Sequence, residues 1–361
     1  MIGSYVGGTL IQSWSSLECL EQFNERGTDN AKQLLDFKRK KATLDERKKE
    51  YDEIIFPKYD AKFQAWKASE TKKREEWQAA LEIAREKGEA HPKRPKRTKP
   101  AFERPIDPVQ EFRLPTVLYN GMINPIIPYA IKGALWYQGE ANCYPNRNTE
   151  YATVLPNMIN DWRNKWGQGD FPFLVVQLPN MNTSSPKKFG WWSTLRESQR
   201  LTLSNPNTYM TVTIDVGDPN DLHPTVKKPI ADRVVLATKE HVYGEDVVGT
   251  SPMIKDAQLV DGKVRLSFTD VGSGLTIGQM DKDFNFSVAE GQPVNFELAG
   301  KDGKFVSAQA KIEGETIMVW SNDLKDPAMI RYAWRNNPEP PVNLYSKEGL
   351  PASPFEMQIQ K

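Results

Sequence analysis

Between residues 116 and 245 the sequence alternates short apolar runs with longer amphipathic segments, and this alternation limits the possible folds more than any other feature. The apolar runs are GALWYQ, FPFLVVQL and TYMTVTID; the amphipathic segments are TEYATVLPNMINDWRNKW, STLRESQRLTLS and KKPIADRVVLATKEHVY. Strand, helix, strand, helix is the order of a parallel sheet with helices on both faces. The sequence therefore predicts an α/β domain whose ligand site lies at the carboxyl ends of the strands.

A polar loop that contains a histidine follows the last of these predicted strands. TVTID runs directly into VGDPNDLHP, where His223 is preceded by Asp215, Asp218 and Asp221. A carboxylate that fixes the tautomer of a histidine makes it the general base of a nucleophilic hydrolase. The loop predicts such a base, with a surface or helix-capping histidine as the alternative.

A second polar loop follows the first predicted strand. GALWYQ runs into GEAN, so that Gln138, Glu140 and Asn142 come directly after the strand. Amide and carboxyl side chains can donate hydrogen bonds to a developing oxyanion or hold the donors in place. Ordinary turn chemistry is the alternative interpretation of WYQGEAN.

The turn VGGT, residues 6–9, is a further source of oxyanion donors. Gly7 and Gly8 have no side chains, so their backbone N–H groups are accessible to a ligand. An ordinary tight turn explains the same two glycines.

The segment that interrupts the predicted α/β domain differs in composition. Lys, Glu, Ala and Arg dominate from about Asn24 to Gly88, with aromatic residues at helical spacing, which predicts a pair of long exposed helices broken near Pro57. The basic, proline-rich HPKRPKRTKPAFERP follows and is predicted to be an extended solvated connector, with a polyanion-binding arm as the alternative. We assign residues 24–110 to this insertion.

Alternating, turn-rich sequence after about residue 245 predicts an antiparallel β-rich module. KVRLSFTD, VNFELAG and TIMVWS are examples. The predicted organisation is therefore the start of the catalytic α/β domain in 1–23, the insertion in 24–110, the catalytic α/β domain in 111–244, and a β-rich module with the C-terminal segment in 245–361.

Composition narrows the classes of partner. The 48 Lys and Arg nearly cancel the 47 Asp and Glu, so the whole chain gives no electrostatic reason to expect nucleic acid or a membrane as partner. Cys19 and Cys143 are too few for a disulfide framework, and the three histidines lie at no metal-binding spacing, so we expect no metal and no cofactor. The sequence contains no long apolar run of the membrane-spanning type.

Five stretches together resemble one family. VGGTLIQSW, LYNGMINPIIPYAIKGALWYQGEAN, the helix that ends in DWR, the DLHPTVKK loop and the closing RYAWRNNPEPPVNLYSKEGLPASPF are similar to sialate O-acetylesterases, which are SGNH hydrolases that cleave acetyl esters from sugars. The resemblance implies an SGNH, flavodoxin-like α/β/α sandwich with a helical hairpin insertion and a smaller β-rich module. It also implies O-acetylated glycans as partners and an extracellular or periplasmic location, and leaves the oligomeric state and the particular sugar open.

The resemblance implies a role for each matching residue. His223 corresponds to the general base. Gly7 or Gly8, together with Gln138, corresponds to the oxyanion-hole region, and Glu140 and Asn142 correspond to residues that support it. The family commonly has the orienting acid three residues before the histidine, where this chain has Asn220. Asp221 is therefore our first choice for that acid, followed by Asp218 and Asp215.

The family's nucleophile is a serine in a GQSNM-like block upstream of the VGGT-like turn, and no such block occurs in this sequence. We therefore expect a chain that begins after the nucleophile of an esterase using serine-type acyl transfer. A non-catalytic glycan-binding or interaction protein derived from such an esterase is the alternative.

Overall fold

A computed structural model describes residues 1–96, 98–182 and 191–360. The described chain forms two compact units, one comprising Met1–Leu34 and Pro115–Lys361 and the other Leu35–Leu114. Among the described residues, no helix combines the length and apolar character needed to cross a membrane.

The first unit contains the predicted α/β arrangement. The parallel strands β1 (Ala134–Trp136), β2 (Phe173–Val176) and β3 (Thr208–Thr211) lie in the order β1-β2-β3. Helices alternate with them in the chain: α5 (Arg147–Trp166), α6 (Trp191–Leu201) and α7 (Lys228–Tyr243). The predicted parallel α/β fold is therefore confirmed, and it brings the ends of β1, β2 and β3 to one edge.

Burial explains why these segments form this sheet. All four residues of β2 are buried, as expected for a central strand covered on both faces. On α5 the residues at helical spacing form a buried stripe that includes Tyr151, Leu155, Met158 and Trp162. The short helix α1 (Leu17–Gln22) begins at Ser16, whose side chain accepts a hydrogen bond from the backbone N–H of Cys19.

The β-rich C-terminal part consists of antiparallel strands in three sheets, as predicted. Their orders are β10-β11-β5-β4, β14-β12-β8-β9 and β13-β6-β7. The strands are β4 (Met253–Val260), β5 (Lys263–Thr269), β6 (Leu275–Met280), β7 (Phe286–Val288), β8 (Phe296–Ala299), β9 (Phe305–Ser307), β10 (Gln309–Glu313), β11 (Thr316–Trp320), β12 (Met329–Tyr332), β13 (Leu344–Ser346) and β14 (Phe355–Gln358).

A buried arginine joins the α/β part to the β-rich part within this unit. Arg196 on α6 is fully buried and donates hydrogen bonds to the main-chain oxygens of Leu178, Pro179, Arg335 and Asn336 at 2.6 to 2.9 Å. A guanidinium has five donors in a fixed fork, so it can satisfy several carbonyl groups at once. The loop after β2 is thereby attached to the loop after β12.

The second unit is helical along most of its first half, and its helices are nearly continuous. The boundary between the two units lies within α2 (Asp29–Ala42). After α2 come α3 (Leu44–Glu50), a π-helical turn (Tyr51–Ile55) and α4 (Phe56–Lys87). The chain is not broken near Pro57, unlike the prediction. Pro57 lies in the first turn of α4, directly after the π-helical turn, whose altered hydrogen bonding accommodates its missing N–H.

After Gly88 the described residues up to Asp107 form no helix or strand and return along α4, in line with the connector predicted for the proline-rich segment. Trp77 Nε1 donates to the main-chain oxygen of Pro92 at 2.9 Å, and the hydroxyl of Tyr51 donates to that of Pro105 at 3.3 Å. The partner of α4 is therefore a non-helical segment, whereas the predicted helical hairpin would pair it with a second long helix. Recurrent prolines explain the difference, because each one removes a helical hydrogen-bond donor.

Candidate active site

Gln138, two residues after β1, is held by hydrogen bonds at both ends of its side-chain amide. Nε2 donates to the main-chain oxygen of Thr9 at 3.0 Å and to Asn142 Oδ1 at 2.8 Å. Oε1 accepts a hydrogen bond from the hydroxyl of Tyr151 at 2.9 Å. Both N–H groups of the amide are thus directed at protein oxygens, so Gln138 fixes the chain at Thr9.

Asn142 attaches the first segment of the chain to the same loop. Its Oδ1 accepts a hydrogen bond from the backbone N–H of Ile11 at 3.1 Å, and its Nδ2 donates to Gln12 Oε1 at 3.2 Å. Asn142 is buried, so these hydrogen bonds satisfy polar groups that water does not reach. The segment around VGGT is therefore held beside the end of β1.

Gly7 and Gly8 present accessible backbone groups next to this network. Gly8 has φ +67°, in the left-handed region that favours glycine, and both glycines are exposed. Within the described residues, the N–H groups of Gly7 and Gly8 have no protein acceptor. Two donors near the end of β1 are thus available to a ligand.

His223 lies in an exposed loop shaped by two aspartates. Asp221 Oδ1 accepts a hydrogen bond from the backbone N–H of His223 at 2.8 Å, and Asp218 Oδ1 accepts one from that of Asn220, also at 2.8 Å. Such contacts are local turns in which the carboxylate organises the main chain. No described residue makes a hydrogen bond with the imidazole of His223, which is accessible to solvent.

Asp215, the third predicted acid, is buried at the root of this loop. Its two carboxylate oxygens accept hydrogen bonds from Arg233 on α7 at 2.6 and 2.7 Å, and Oδ2 also accepts one from the hydroxyl of Tyr345 at 3.1 Å. Burial and the nearby Asp215 raise the pKa of Tyr345 well above its ordinary value, so its hydroxyl stays protonated and donates. Asp215 therefore anchors the start of the loop.

Charge contacts bring the loop after β1 and the loop after β3 together. Lys227 Nζ lies 5.6 Å from the centre of the Tyr137 ring. Burial raises the pKa of Glu140 above its ordinary value. Hydrogen bonds from the backbone N–H groups of Glu140 and Gly139 oppose this rise, as do, to a smaller extent, the charges of His223 and Lys227. His223 and Glu140 are thus near enough to interact electrostatically.

Asn180, after β2, is a central residue of the site region that the sequence analysis missed. Its Oδ1 accepts a hydrogen bond from the backbone N–H of Gly217 at 2.8 Å, and its Nδ2 donates to Asn337 Oδ1 at 2.8 Å. A Cβ at Gly217 would lie 2.2 Å from the main-chain oxygen of Asn180, which makes glycine necessary there. The signal was available, because Asn180 follows FPFLVVQL at the same edge of the predicted sheet as His223 and Gln138.

The described residues contain no group of three or more His, Cys, Asp or Glu side chains close enough to hold a metal ion. The donors gathered at the sheet edge are amides, backbone N–H groups and one imidazole. Such groups act on a carbonyl through hydrogen bonds and proton transfer.

Comparison with known proteins connects this arrangement to one group of enzymes. The family model described as SASA, carbohydrate esterase, sialic acid-specific acetylesterase, matches residues 107–231. The chain is 29% identical over 266 residues to the sialate O-acetylesterase of Mus musculus, covering 68% of this chain and 47% of that protein. It is 31% identical over 183 residues to the human sialate O-acetylesterase, covering 46% of this chain and 35% of that protein.

A solved structure extends the likeness to the fold. The crystal structure of a carbohydrate acetylesterase from Xanthomonas citri has a TM-score of 0.62 and 38% sequence identity, covering 68% of this chain and 55% of that one. The chain spans about half the length of the curated relatives that it matches.

Proposed function

Because the chain belongs to the sialate O-acetylesterase family, we propose that it acts as a carbohydrate esterase that removes O-acetyl groups from sialic acid or other acetylated glycans. The observation that carries the proposal is the convergence of three segments at one edge of the sheet. The VGGT segment is fixed by Gln138, and the loop that contains His223 lies within electrostatic reach of Glu140. An exposed base and accessible N–H donors are two of the elements that serine-type acyl transfer from an ester requires.

In the proposed serine-type mechanism, His223 accepts the proton of a serine hydroxyl as the oxygen attacks the acetyl carbonyl. The N–H groups of Gly7 and Gly8 donate to the resulting oxyanion, whose collapse breaks the ester bond and releases the sugar hydroxyl with the proton that His223 holds. Water, which loses a proton to His223, then attacks the acyl-enzyme, and acetate leaves as that proton returns to the serine oxygen. Gln138 and Asn142 hold the donor segment at Thr9 and Ile11.

The orienting acid and the nucleophile are the two further elements of this mechanism. Asp221 is the proposed orienting acid: its Oδ1 already holds the backbone of His223, and its Oδ2 makes no hydrogen bond with another described residue. No described serine hydroxyl makes a hydrogen bond with His223. The mechanism therefore requires a serine to reach the imidazole, a requirement that an activity assay tests directly.

The test is acetate release from 9-O-acetylated sialic acid by the chain and by two histidine variants. His223→Ala should lower the rate about 100-fold or more, because a positioned general base contributes about 10² to 10⁴. His91→Ala, at an exposed histidine of the second unit, should leave the rate unchanged. An unchanged rate in His223→Ala would contradict the proposed role of His223, and no turnover above the blank with a folded, unmodified chain would contradict the esterase proposal.

Glycan binding without catalysis is the second candidate function. It is favoured because no hydroxyl group of a described residue makes a hydrogen bond with the imidazole of His223. Trp191 and Tyr144 supply aromatic rings with centres 6.2 Å apart, close to the loop that contains Asn142, and such rings can stack on a sugar. This candidate predicts saturable heat of binding in calorimetry with O-acetylated sialic acid and no release of acetate. Absence of binding heat with that ligand would count against it.

The family resemblance also supports a proposed location outside the cytoplasm, in the extracellular space or the periplasm. Fractionation of the producing cells, followed by detection of the chain with an antibody, tests this proposal. Recovery only with cytoplasmic markers would contradict it.

A further inference from the structure

A lysine directly before α7 lies over the loop that follows β1. The Nζ atom of Lys227 is 5.6 Å from the centre of the Tyr137 ring, and Tyr137 directly precedes Gln138 in the chain. Lys227 also lies only four residues after His223. Its ammonium group is therefore at the same edge of the sheet as the proposed catalytic elements.

The charge of this lysine is not taken up by an ion pair with a described residue. The neighbouring Lys228 pairs with Asp232 at 2.6 Å, whereas no described carboxylate lies at ion-pairing distance from Lys227. Lys227 is exposed, and an ammonium group over a ring face keeps N–H donors for another acceptor. Lys227 thus has donors available to a ligand.

The surroundings hold the ammonium group in place before a ligand arrives. Tyr137 is 38% exposed, so its ring is partly packed and gives the cation a fixed face to rest on. Lys227 directly precedes α7, whose N-terminal end carries a partial positive charge that favours nearby anions. The charges of Lys227 and His223 both act on the pKa of Glu140, so the lysine and the proposed base share one electrostatic environment.

Two acidic residues of the same loop oppose the binding of an anion. Asp218 and Asp221 are exposed, and their charges repel an anionic ligand that approaches His223. Without an opposing cation, this loop would select neutral sugars. Lys227 supplies such a cation, so it can decide whether an acidic sugar is accepted.

We propose that Lys227 determines specificity by binding the carboxylate of an acidic sugar whose O-acetyl group lies beside His223. This specificity rests on the proposed function, which supplies the position of the acetyl group, and it narrows the substrates to sugars with a carboxylate, either a sialic acid or a hexuronic acid. One ammonium group matches the single charge of a carboxylate, whereas a phosphate monoester carries about −1.5 to −2 at neutral pH. The carboxylate takes no part in acyl transfer, so Lys227 binds the substrate and the transition state alike.

The experiment compares acetate release from 9-O-acetylated sialic acid with release from the carboxamide of the same sugar, which has a similar shape and no charge. We expect kcat/KM to be about five-fold higher for the acid, through a lower KM at equal kcat. The preference should shrink as salt is raised, because the contact is exposed. An O-acetylated galacturonic acid, assayed beside its own carboxamide, distinguishes a hexuronic acid from a sialic acid as the source of the carboxylate.

Variants at two adjacent lysines separate a specific contact from overall charge. Lys227→Gln should bring the ratio of kcat/KM for acid and carboxamide to about one, and Lys227→Arg, which keeps the charge, should retain most of the preference. Lys228→Gln removes the same charge one residue away and should leave the ratio unchanged, because that charge is already paired with Asp232. A ratio of about one for both acids in the unmodified chain, equal losses in the two Gln variants, or an effect on kcat at constant KM would overturn the proposal.

A binding measurement distinguishes failure of this proposal from failure of the esterase function. Equal acetate release from acid and carboxamide would leave the esterase function intact and overturn the role of Lys227. If no acetate is released, ligand-observed NMR titration with the unacetylated acids and their carboxamides decides, since it needs no turnover. Tighter binding of an acid that is lost in Lys227→Gln and kept in Lys228→Gln supports the carboxylate site, and equal or undetectable binding of acid and carboxamide overturns it.

Discussion

The hydroxyl of Tyr345 donates a hydrogen bond to Asp215 Oδ2 at 3.1 Å, across 130 positions of the sequence. Asp215 also receives two hydrogen bonds from Arg233, and the side chains of Arg233 and Asp215 are only 7% and 4% exposed. A strand of the β-rich part, the loop of His223 and α7 are therefore joined at one buried carboxylate. The β-rich part thus contributes directly to the position of the proposed general base.

Breaking this buried ion pair should be much more costly than breaking an exposed one on the same helix. Arg233→Met leaves Asp215 buried without its charge partner, and we expect the free energy of unfolding to fall by about 3 to 5 kcal/mol. Lys228→Met is the control, because it removes an exposed pair with Asp232 and should cost less than about 1 kcal/mol. Equal losses for the two variants in urea unfolding would show that Asp215 is not an anchor.

Two glycines near the site should respond differently to the same substitution. Gly217→Ala would bring a Cβ to within 2.2 Å of a main-chain oxygen of Asn180, so we expect a loss of about 1 to 3 kcal/mol and displacement of the His223 loop. Gly7→Ala meets no atom within 4 Å, so its free energy of unfolding should match that of the unmodified chain. Thermal melts of both variants test the pair, and a fully stable Gly217→Ala variant would contradict the described packing.

Much of the α/β fold could be predicted because its signals are local. GALWYQ, FPFLVVQL and TYMTVTID contain β1, β2 and β3, and the apolar spacing of residues 149–166 matches the helix that buries Tyr151 and Trp162. The carboxyl ends of parallel strands share an edge, so the approach of the Gln138 loop to the His223 loop also follows from the sequence.

Partners that are distant in the sequence could not be predicted. Asp215, Asp218 and Asp221 look equivalent in DVGDPNDLHP, yet only Asp215 is engaged by Arg233 and Tyr345, which lie 18 and 130 positions away. Tertiary packing decides between such acids. In the same way, Pro57 predicts a break between two helices. The structure instead has a π-helical turn directly before α4, and the helical backbone continues through Pro57.

Asn142 should control how firmly the first segment of the chain is attached. Asn142→Ala leaves the buried N–H of Ile11 and one N–H of Gln138 without their acceptor, so we expect a loss of about 2 to 4 kcal/mol. Hydrogen exchange at Ile11 should become faster because that amide loses its hydrogen bond. Asn157→Ala, at a half-buried residue of α5 whose side chain donates to the main-chain oxygen of Thr153, is the control and should leave exchange at Ile11 unchanged. Unaltered exchange in Asn142→Ala would show that other contacts hold the segment.

Glu140→Gln should stabilise the chain in a manner that depends on pH. Burial raises the pKa of Glu140 above the ordinary value of 4.5, although neighbouring backbone N–H groups, His223 and Lys227 oppose the shift. Below pH 4.5 the carboxyl group is protonated in both the folded and the unfolded chain, so it contributes no pH dependence. Above that value the unfolded chain loses the proton first, and the free energy of unfolding falls until the folded carboxyl also ionises.

Glutamine does not titrate, so the melting temperature of Glu140→Gln relative to the unmodified chain should rise as the pH increases from 4.5 and then level off. Thermal melts over a pH series measure this difference. If Glu140→Gln instead became relatively less stable as the pH rose, attraction to His223 and Lys227 would outweigh the cost of burial, and Glu140 would stabilise the loop through its charge.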